Sequence, residues 1–352
     1  MGGIAVMGAG ILGLSAAFTL ARRGASVAVF EARQVGAGAS GGLVGALAPH
    51  APEAWNPLKQ FQLESLLAAQ GFWAEVARLG GIDPGYARLG RLQPLPDEQA
   101  VARARARAEA TAELWQGRAE WRVIEAQAVT GMAPQSATGL LVLDTLSARI
   151  APRRALAALV AALDAIGVRV APGSTPPEGA NAVIWATGAD GLADLGADLG
   201  LAVGGPVKGQ AALLAADWRA APQIYAPGLH LVPHADGTLA VGSTSEREFD
   251  DPTGTDEALD DVIARARVLC PALAGAPVIE RWAGLRPRAR SRQPLIGPWP
   301  GRAGHFVLNG GFKTGFGMAP KLAGVMADLV LGEGDTRPPE MTIEALLPPS
   351  PG

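Results

Sequence analysis

The stretch Ile4-Ala5-Val6-Met7-Gly8-Ala9-Gly10-Ile11-Leu12-Gly13 decides the fold of this chain. Its first four residues form a short apolar run that suits a buried parallel strand. The spaced glycines that follow permit a tight turn, the approach of backbone to a pyrophosphate, and close packing of a helix on the strand. An apolar helix is predicted over Leu14–Arg22 and a second strand over Ser26–Phe30. Together these elements predict a dinucleotide-binding βαβ unit.

An acidic residue and a second small-residue loop narrow the choice of dinucleotide. Glu31 lies 18 residues after Gly13, where a carboxylate can accept hydrogen bonds from a ribose diol. An acid at this position disfavours a 2′-phosphate, so FAD or NAD is preferred over NADP. The loop Gly36–Gly42 and the segment Gly45–Leu47 can wrap a pyrophosphate with backbone amides and the Ser40 hydroxyl, which favours FAD.

Composition excludes several other classes of protein. The 352 residues are 49% hydrophobic and 18% charged, a balance that does not fit a disordered chain. The single Cys270 excludes a disulfide scaffold, and four widely separated histidines predict no metal site. A net charge of −3 supplies no field that would draw the chain to nucleic acid. A chain of this length is expected to divide into two domains.

The apolar N-terminal segment Ile4–Leu20 superficially resembles a signal peptide. No Lys or Arg precedes it, and glycines interrupt its apolar centre, whereas a signal peptide needs a cationic start and a continuous apolar run. We therefore expect a cytoplasmic protein with no membrane span, and the single Cys270 is compatible with a reducing compartment.

Six further segments share their pattern with one family of flavoproteins. They are Val183–Gly188 with an A-T-G turn, Pro206–Gln210, Leu231–His234, Val241–Thr244, Trp282–Pro287 with G-L-R-P, and Pro294–Gly297. With the glycine-rich opening, these segments resemble the FAD-dependent D-amino-acid oxidase superfamily, and within it the glycine oxidase branch. The similarity extends over nearly the whole chain.

The resemblance implies an α/β fold in which a discontinuous Rossmann-type FAD-binding domain carries an inserted α+β substrate domain built on an antiparallel sheet. Periodicity agrees, since Arg153–Ile166 and Met318–Leu331 are predicted helices and Gly228–Gly242 a predicted hairpin. The expected FAD-binding parts are residues 1–80, 140–205 and 286–340. The expected substrate-domain parts are residues 81–139 and 206–285, followed by a C-terminal tail at 341–352.

We expect FAD to be bound non-covalently, because Cys270 is away from any attachment position of the family. The residues expected to contact it are Gly8, Gly10, Ile11, Leu12, Gly13, Glu31, Ala32, Arg33, Ala39, Ser40, Gly45, Ala46, Leu47, Val170, Thr187, Gly188, Gly311, Phe312, Lys313, Thr314 and Gly315.

Arg286 is the first candidate for the substrate site. By resemblance, the Arg of G-L-R-P binds the substrate carboxylate, and a planar guanidinium suits a carboxylate geometrically. The neighbouring arginines Arg281, Arg288, Arg290 and Arg292 are expected at the surface. Lys313 is a second catalytic candidate that either stabilises reduced flavin or lies at the surface. His50, Tyr225 and His234 are candidate pocket residues.

The resemblance implies oxidative deamination of a small amino acid or N-alkyl amino acid. Hydride would pass from the substrate carbon to flavin N5, and oxygen would be the electron acceptor. The chain also resembles the flavin domain of a tRNA-wobble-uridine-modifying enzyme, although the acidic net charge argues against tRNA binding. The same motifs are compatible with an amine dehydrogenase that uses a different acceptor, and with a flavin-bound electron-transfer or structural protein that oxidises no amine.

Overall fold

The computed structural model describes residues 3–347. The helices are α1 (Ile11–Arg22), α2 (Pro57–Gly80), α3 (Glu98–Leu114), α4 (Pro152–Ala165), α5 (Gly188–Leu199), α6 (Glu257–Leu269) and α7 (Gly315–Leu331). The strands are β1 (Ile4–Met7), β2 (Val27–Glu31), β3 (Ala46–Leu47), β4 (Arg91–Pro94), β5 (Trp121–Glu125), β6 (Leu140–Asp144), β7 (Ala148–Arg149), β8 (Val170–Pro172), β9 (Ala182–Trp185), β10 (Gly204–Ala215), β11 (Gln223–Ala226), β12 (Leu229–Pro233), β13 (Thr238–Gly242), β14 (Val278–Ala289), β15 (Leu295–Pro298) and β16 (His305–Asn309).

The first sheet has the order β15-β16-β9-β1-β2-β8. All its pairs are parallel except β15 with β16. The carboxyl ends of parallel strands lie at one edge of a sheet, so the turns that follow β1, β9 and β16 meet there. In open α/β sheets this edge is where ligands bind.

The second sheet has the order β14-β10-β13-β12-β11-β4-β6-β5 and is antiparallel apart from the pair β11 with β4. Its longest pair joins β10 and β14, each of 12 residues. The predicted hairpin over Gly228–Gly242 is present as β12 and β13. A parallel sheet joined to a largely antiparallel one confirms the predicted fold class.

Two helices begin earlier than predicted. Helix α1 starts at Ile11 rather than Leu14, and α7 starts at Gly315 rather than Met318. In both cases helical geometry begins inside the glycine-containing motif, and the extra residues form the first turn of the helix at the ligand edge of the sheet. Within residues 3–347, no helix is both long and apolar enough to cross a membrane.

The division into domains remains a prediction. Its boundaries at residues 140 and 285 do not agree with the sheet to which the strands belong, and its expected tail is partly buried. Leu140–Asp144 pairs with β4 and β5 in the second sheet, although residue 140 is the expected return to the FAD-binding part. Strand β14 likewise runs to Ala289, past the expected boundary at 285. Of the expected tail at 341–352, Met341, Ile343 and Leu346 are buried, while 348–352 lie outside the described residues.

Candidate active site

The turn after β1 has room only for glycine at two positions. Gly8 has a φ of +104°, and a Cβ there would lie 2.5 Å from the Ala186 carbonyl oxygen. A Cβ at Gly13 would overlap the carbonyl oxygen of Gly8. These glycines therefore bring α1 directly against the turn, so that the helix start faces the ligand edge.

The N-terminus of α1 is suited to binding an anion. Its N-cap residue Gly10 is extended, with φ −85° and ψ −179°, and the first turn consists of the apolar or small residues Ile11, Leu12 and Gly13. The Ile11 N–H donates to Ser40 Oγ at 3.0 Å, which draws the second small-residue loop over the helix end. Exposed N–H groups and the helix dipole favour a phosphate at such a position.

Glu31 is held at the same turn by two backbone amides. Its Oε2 accepts from the Ala9 N–H at 2.8 Å, and its Oε1 accepts from the Arg33 N–H at 3.0 Å. The carboxylate is thereby fixed at the carboxyl end of β2, where a ribose diol can reach it. The neighbouring Ala32 and Arg33 are exposed.

The turn after β9 presents a polar atom that needs a partner. Thr187 Oγ1 is buried, and the described part of the chain offers it no hydrogen bond. The following Gly188 has a φ of +63°, and its carbonyl oxygen accepts from Asn309 Nδ2 at 2.8 Å. This bond joins the turns after β9 and β16 at the ligand edge. A Cβ at Gly191 would overlap Thr187 Oγ1, so this hydroxyl faces the first turn of α5.

These features fit FAD. A glycine cradle, a helix start with an apolar first turn and a fixed acid lie along one sheet edge, as a dinucleotide requires. Val170 pairs with Val29 beside β2 and borders a groove of about 1180 Å³ next to the loop 34–37. Gly45, with a φ of +66°, packs so closely on Ile150 that a Cβ would overlap its carbonyl oxygen. It thus places Ala46 and Leu47 at the next cavity.

A chamber of about 190 Å³ lies between the second sheet and the start of α7. The β3 segment, the sheet and the helix each contribute to its wall. The lining residues are Ala46, Leu47, Ala48, Pro49, His50, Gln62, Arg91, Tyr225, His230, Lys313, Thr314 and Gly317. Gln62 on α2 secures the first wall, because its Oε1 accepts from the His50 N–H at 2.7 Å.

The sheet wall of the chamber is a stack of charged and aromatic groups. Arg91 Nε donates to the buried Asp144 carboxylate at 2.9 Å, and its guanidinium carbon lies 5.4 Å from the centre of the Tyr225 ring. The Tyr225 and His230 rings are 4.8 Å apart between centres. Facing them, the N-cap of α7 is Thr314, preceded by Lys313. The wall therefore combines cations with polarisable rings.

The charges of this region alter its titratable groups. Burial, followed by the charges of Arg91, Lys313 and Arg286, lowers the pKa of His230 to about 3, so the imidazole is neutral at ordinary pH. Partial burial, with Arg286 and then Arg288, lowers the pKa of Lys313. Burial lowers the pKa of Arg286 to about 10, which leaves that guanidinium charged.

Arg286 lies on β14 with only 8% of its surface accessible. Its Nη1 donates to the Thr244 carbonyl oxygen at 3.1 Å. Arg286 does not itself line the 190 Å³ chamber, yet its charge acts on both Lys313 and His230, which do. It is therefore a neighbour of the chamber with a buried positive charge.

The structure gathers most of the predicted substrate-site residues. His50, Tyr225 and Lys313 line the chamber, and Arg286 lies beside it. Lys313 remains exposed while lining the chamber, so the two roles expected for it are not mutually exclusive. His234 is placed differently, because its Nε2 lies 3.3 Å from the Val44 carbonyl oxygen and its ring is outside the chamber lining. Arg281, Arg290 and Arg292 are exposed as expected, whereas Arg288 is half-buried.

Sequence reasoning missed Arg91, His230 and Gln62. A signal for His230 was present, because Pro227-Gly228 is a two-residue turn that pairs Tyr225 with His230 across β11 and β12. Arg91 carried no such local signal, since its partner Asp144 is 53 residues away in the chain. Gln62 is one polar residue on a long helix, and only its contact with the His50 backbone distinguishes it.

Comparison with known proteins agrees with this geometry. The family described as "FAD dependent oxidoreductase" matches residues 3–329. The chain is similar to the glycine oxidase of Pseudomonas putida, with 29% identity over 94% of each chain. It is also similar to the glycine oxidase of Geobacillus kaustophilus, with 28% identity over 93% of this chain and 92% of that one.

Solved structures show the same fold. The crystal structure of glycine oxidase from Geobacillus kaustophilus matches 97% of this chain and 98% of that chain, with a TM-score of 0.84 and 24% identity. Iminodiacetate oxidase from a Chelativorans species matches 95% and 97%, with a TM-score of 0.81 and 25% identity. The chain belongs to the family of FAD-dependent oxidoreductases and is an enzyme of the glycine oxidase-like type, with FAD as its cofactor.

Proposed function

We propose that this enzyme oxidises a small amino acid or N-alkyl amino acid and that Arg286 binds the substrate carboxylate. The observation that carries the proposal is the state of Arg286. Among residues 3–347 this buried guanidinium forms no ion pair, and its one hydrogen bond goes to a neutral carbonyl. A buried charge needs a compensating partner, and a carboxylate can take two parallel hydrogen bonds from a guanidinium.

The same charges favour an unprotonated substrate amine. Arg91 and Lys313 line the chamber and Arg286 lies beside it, while His230 is neutral there. A cationic ammonium group would be repelled in this environment, so the substrate is held with its carboxylate ionised and its amine neutral. The reaction then requires no side-chain base, because the nitrogen has already lost its extra proton to solvent.

FAD, when bound, would supply the acceptor for the hydride that leaves the substrate Cα. The amine nitrogen loses a proton to water in the same conversion, and the resulting imine is hydrolysed to an oxo acid and ammonia or, from an N-alkyl amino acid, an amine. Oxygen is the proposed final acceptor of the two electrons and two protons, giving hydrogen peroxide. The names of the similar glycine oxidases and of iminodiacetate oxidase support this assignment, since iminodiacetate is an N-alkyl derivative of glycine.

A substrate screen tests the reaction. The purified yellow protein is mixed anaerobically with glycine, sarcosine, iminodiacetate and D-amino acids, and loss of flavin absorbance is followed. Bleaching by one of these, followed by peroxide formation on admission of air, is the expected result. Bleaching without peroxide would identify a dehydrogenase with another acceptor, and no bleaching by any carboxylated amine would contradict the proposal.

The variant Arg286→Ala tests the carboxylate contact. Removing one partner of a buried charged pair costs enough that KM for the carboxylated substrate should rise about a hundred-fold or more. The FAD content should stay unchanged. Arg281→Ala is the matched control, because Arg281 is on the same strand but exposed and paired with Asp260 at 2.7 Å. An unchanged KM in Arg286→Ala would remove Arg286 from this role.

A further inference from the structure

The strand next to Arg286 contains Gly209. The Arg286 guanidinium occupies the space that a side chain at Gly209 would take. Arg286 on β14 pairs with Val207 on β10, and Gly209 on β10 pairs with Gly284. The Arg286 side chain thus runs diagonally over the sheet towards Gly209. A Cβ at Gly209 would overlap the Nη1, Cζ and Nη2 atoms of Arg286.

The backbone conformation does not explain a glycine here. Gly209 is inside a regular strand and is absent from the residues with positive φ in the described chain. Glycine weakens a strand interior, and it often marks a place where another group approaches closely. Space for the guanidinium is therefore the property that Gly209 supplies.

The other side of the guanidinium is held by a segment fixed along β10. Thr244, whose carbonyl oxygen accepts from Arg286, is tied to Gln210 through its own side chain and backbone. Gln210 N–H donates to Thr244 Oγ1 at 2.8 Å, and Thr244 N–H donates to the Gln210 carbonyl at 3.3 Å. Glu246 and Lys208 add reciprocal backbone bonds of 2.9 Å each. The acceptor for Arg286 thus has a fixed position.

A charge network around the buried Lys208 side chain secures that segment in turn. The Lys208 side chain is only 4% exposed, and its Nζ lies 3.7 Å from carboxylate oxygens of both Glu246 and Asp256. Gln210 Nε2 donates to the same two carboxylates, at 3.1 and 2.8 Å. The charge of Glu246 also opposes the lowering of the Arg286 pKa by burial.

We propose that Gly209 is a specificity-determining positioning residue: its bare Cα and the Thr244 carbonyl together hold Arg286 flat, with its remaining N–H groups free for the substrate carboxylate. This inference rests on the proposed function, in which Arg286 binds that carboxylate. Gly209 acts through Arg286 and touches neither substrate nor flavin.

The test compares two alanine substitutions on one strand. Gly209→Ala forces the guanidinium aside, whereas a Cβ at Gly205 would meet no described atom within 4 Å, so Gly205→Ala is the matched control. Acetate is titrated into each holoenzyme and its dissociation constant is read from the flavin absorption spectrum. Displacement of a positioning group by about 1 Å can cost about a hundred-fold, and we expect a weakening of that order for Gly209→Ala alone.

A double substitution separates positioning from general damage. In the Arg286→Ala background no guanidinium remains to be displaced, so adding Gly209→Ala should not weaken acetate binding further. An equal loss in both backgrounds, or unchanged acetate affinity in Gly209→Ala, would overturn the inference. If Gly209→Ala fails to fold, the Arg286→Ala background should restore folding, and failure to fold there too would assign Gly209 a purely structural role. Unchanged affinity in Arg286→Ala alone would instead overturn the proposed function.

Discussion

The cofactor cradle and the substrate chamber are built from different parts of the polypeptide. The cradle is built mainly from backbone: the glycines Gly8 and Gly13, the start of α1, and the amides that fix Glu31, with the Ser40 hydroxyl on the first amide of α1. The chamber consists of side chains brought from distant segments, among them Arg91, His230 and Lys313. The first region depends on local conformation, whereas the second depends on strand register and on a balance of buried charges.

This difference predicts different responses to substitution. In the cradle, adding one carbon atom to a glycine should interfere with cofactor binding while the side chains of the chamber stay in place. In the chamber, removing one charge should affect stability and substrate binding while the cradle remains intact. Four substitutions test this contrast, and they follow in order of expected effect.

The largest effect is expected for Asp144→Asn. Asp144 is fully buried and accepts from Arg91 Nε at 2.9 Å, so its neutralisation leaves an uncompensated guanidinium inside the second sheet. The free energy of unfolding should fall by about 3–5 kcal/mol. Denaturant titration measures it. Glu120→Gln is the control, since its pair with Arg122 is exposed and should contribute less than about 1 kcal/mol. Similar losses in both variants would contradict a chamber built on buried charge.

The next effect is expected for Gly13→Ala in the cradle. The added methyl group would overlap the Gly8 carbonyl oxygen and push α1 away from the turn. Overpacking of this kind costs about 3 kcal/mol, or roughly a hundred-fold in the FAD dissociation constant. Fluorescence titration of apoprotein with FAD measures it. Gly71→Ala in α2 serves as control, because a Cβ there meets no described atom within 4 Å. Retention of normal FAD affinity by Gly13→Ala would show that the cradle tolerates a side chain.

A smaller, pH-dependent effect is expected from His230. The folded protein keeps this imidazole neutral down to pH about 3, whereas in the unfolded chain it titrates near its ordinary pKa of 6.5. As pH falls from 6.5 towards 3, the unfolded state takes up a proton that the folded state does not. The free energy of unfolding therefore falls by about 1.4 kcal/mol per pH unit through this group.

His230→Gln should remove that contribution. Denaturant unfolding of the wild type and the variant at pH 6.5, 5.5 and 4.5 gives the two slopes, and the variant's slope should be shallower. Above pH about 7.5, where neither the folded nor the unfolded wild type protonates His230 appreciably, the two slopes should agree. Equal slopes at acid pH would mean that the imidazole is not kept neutral.

The smallest effect is expected for Ser40→Ala. Its hydroxyl accepts from the Ile11 N–H at 3.0 Å and acts as a distant cap for α1. Loss of a capping oxygen costs about 1 kcal/mol of stability. Thermal unfolding of the apoprotein should record this loss, while the exposed Ser174→Ala should not change the melting temperature. A loss as large as that of Asp144→Asn would show that the cradle also depends on side chains.

Much of the fold is predictable because its signals are local. The first strand, the glycine turn and the second strand occur in one run of 28 residues, from 4 to 31, and each is recognised from its neighbours in the chain. The true helix starts at Ile11 and Gly315 are harder to predict, since apolar periodicity does not reveal where a glycine turn becomes helical. The sequence also does not show which sheet Leu140–Asp144 joins, because a short apolar strand has the same pattern in either sheet.

The dinucleotide-binding fold and the preference for FAD follow from the amino-acid sequence alone. This is because glycine spacing and the acid at Glu31 act through backbone geometry within one βαβ unit. Only the tertiary structure decided which side chains form the chamber, why His230 is neutral, and why Arg286 lies against Gly209. Those properties arise from strand register and from charges that lie far apart in the chain and close together in space.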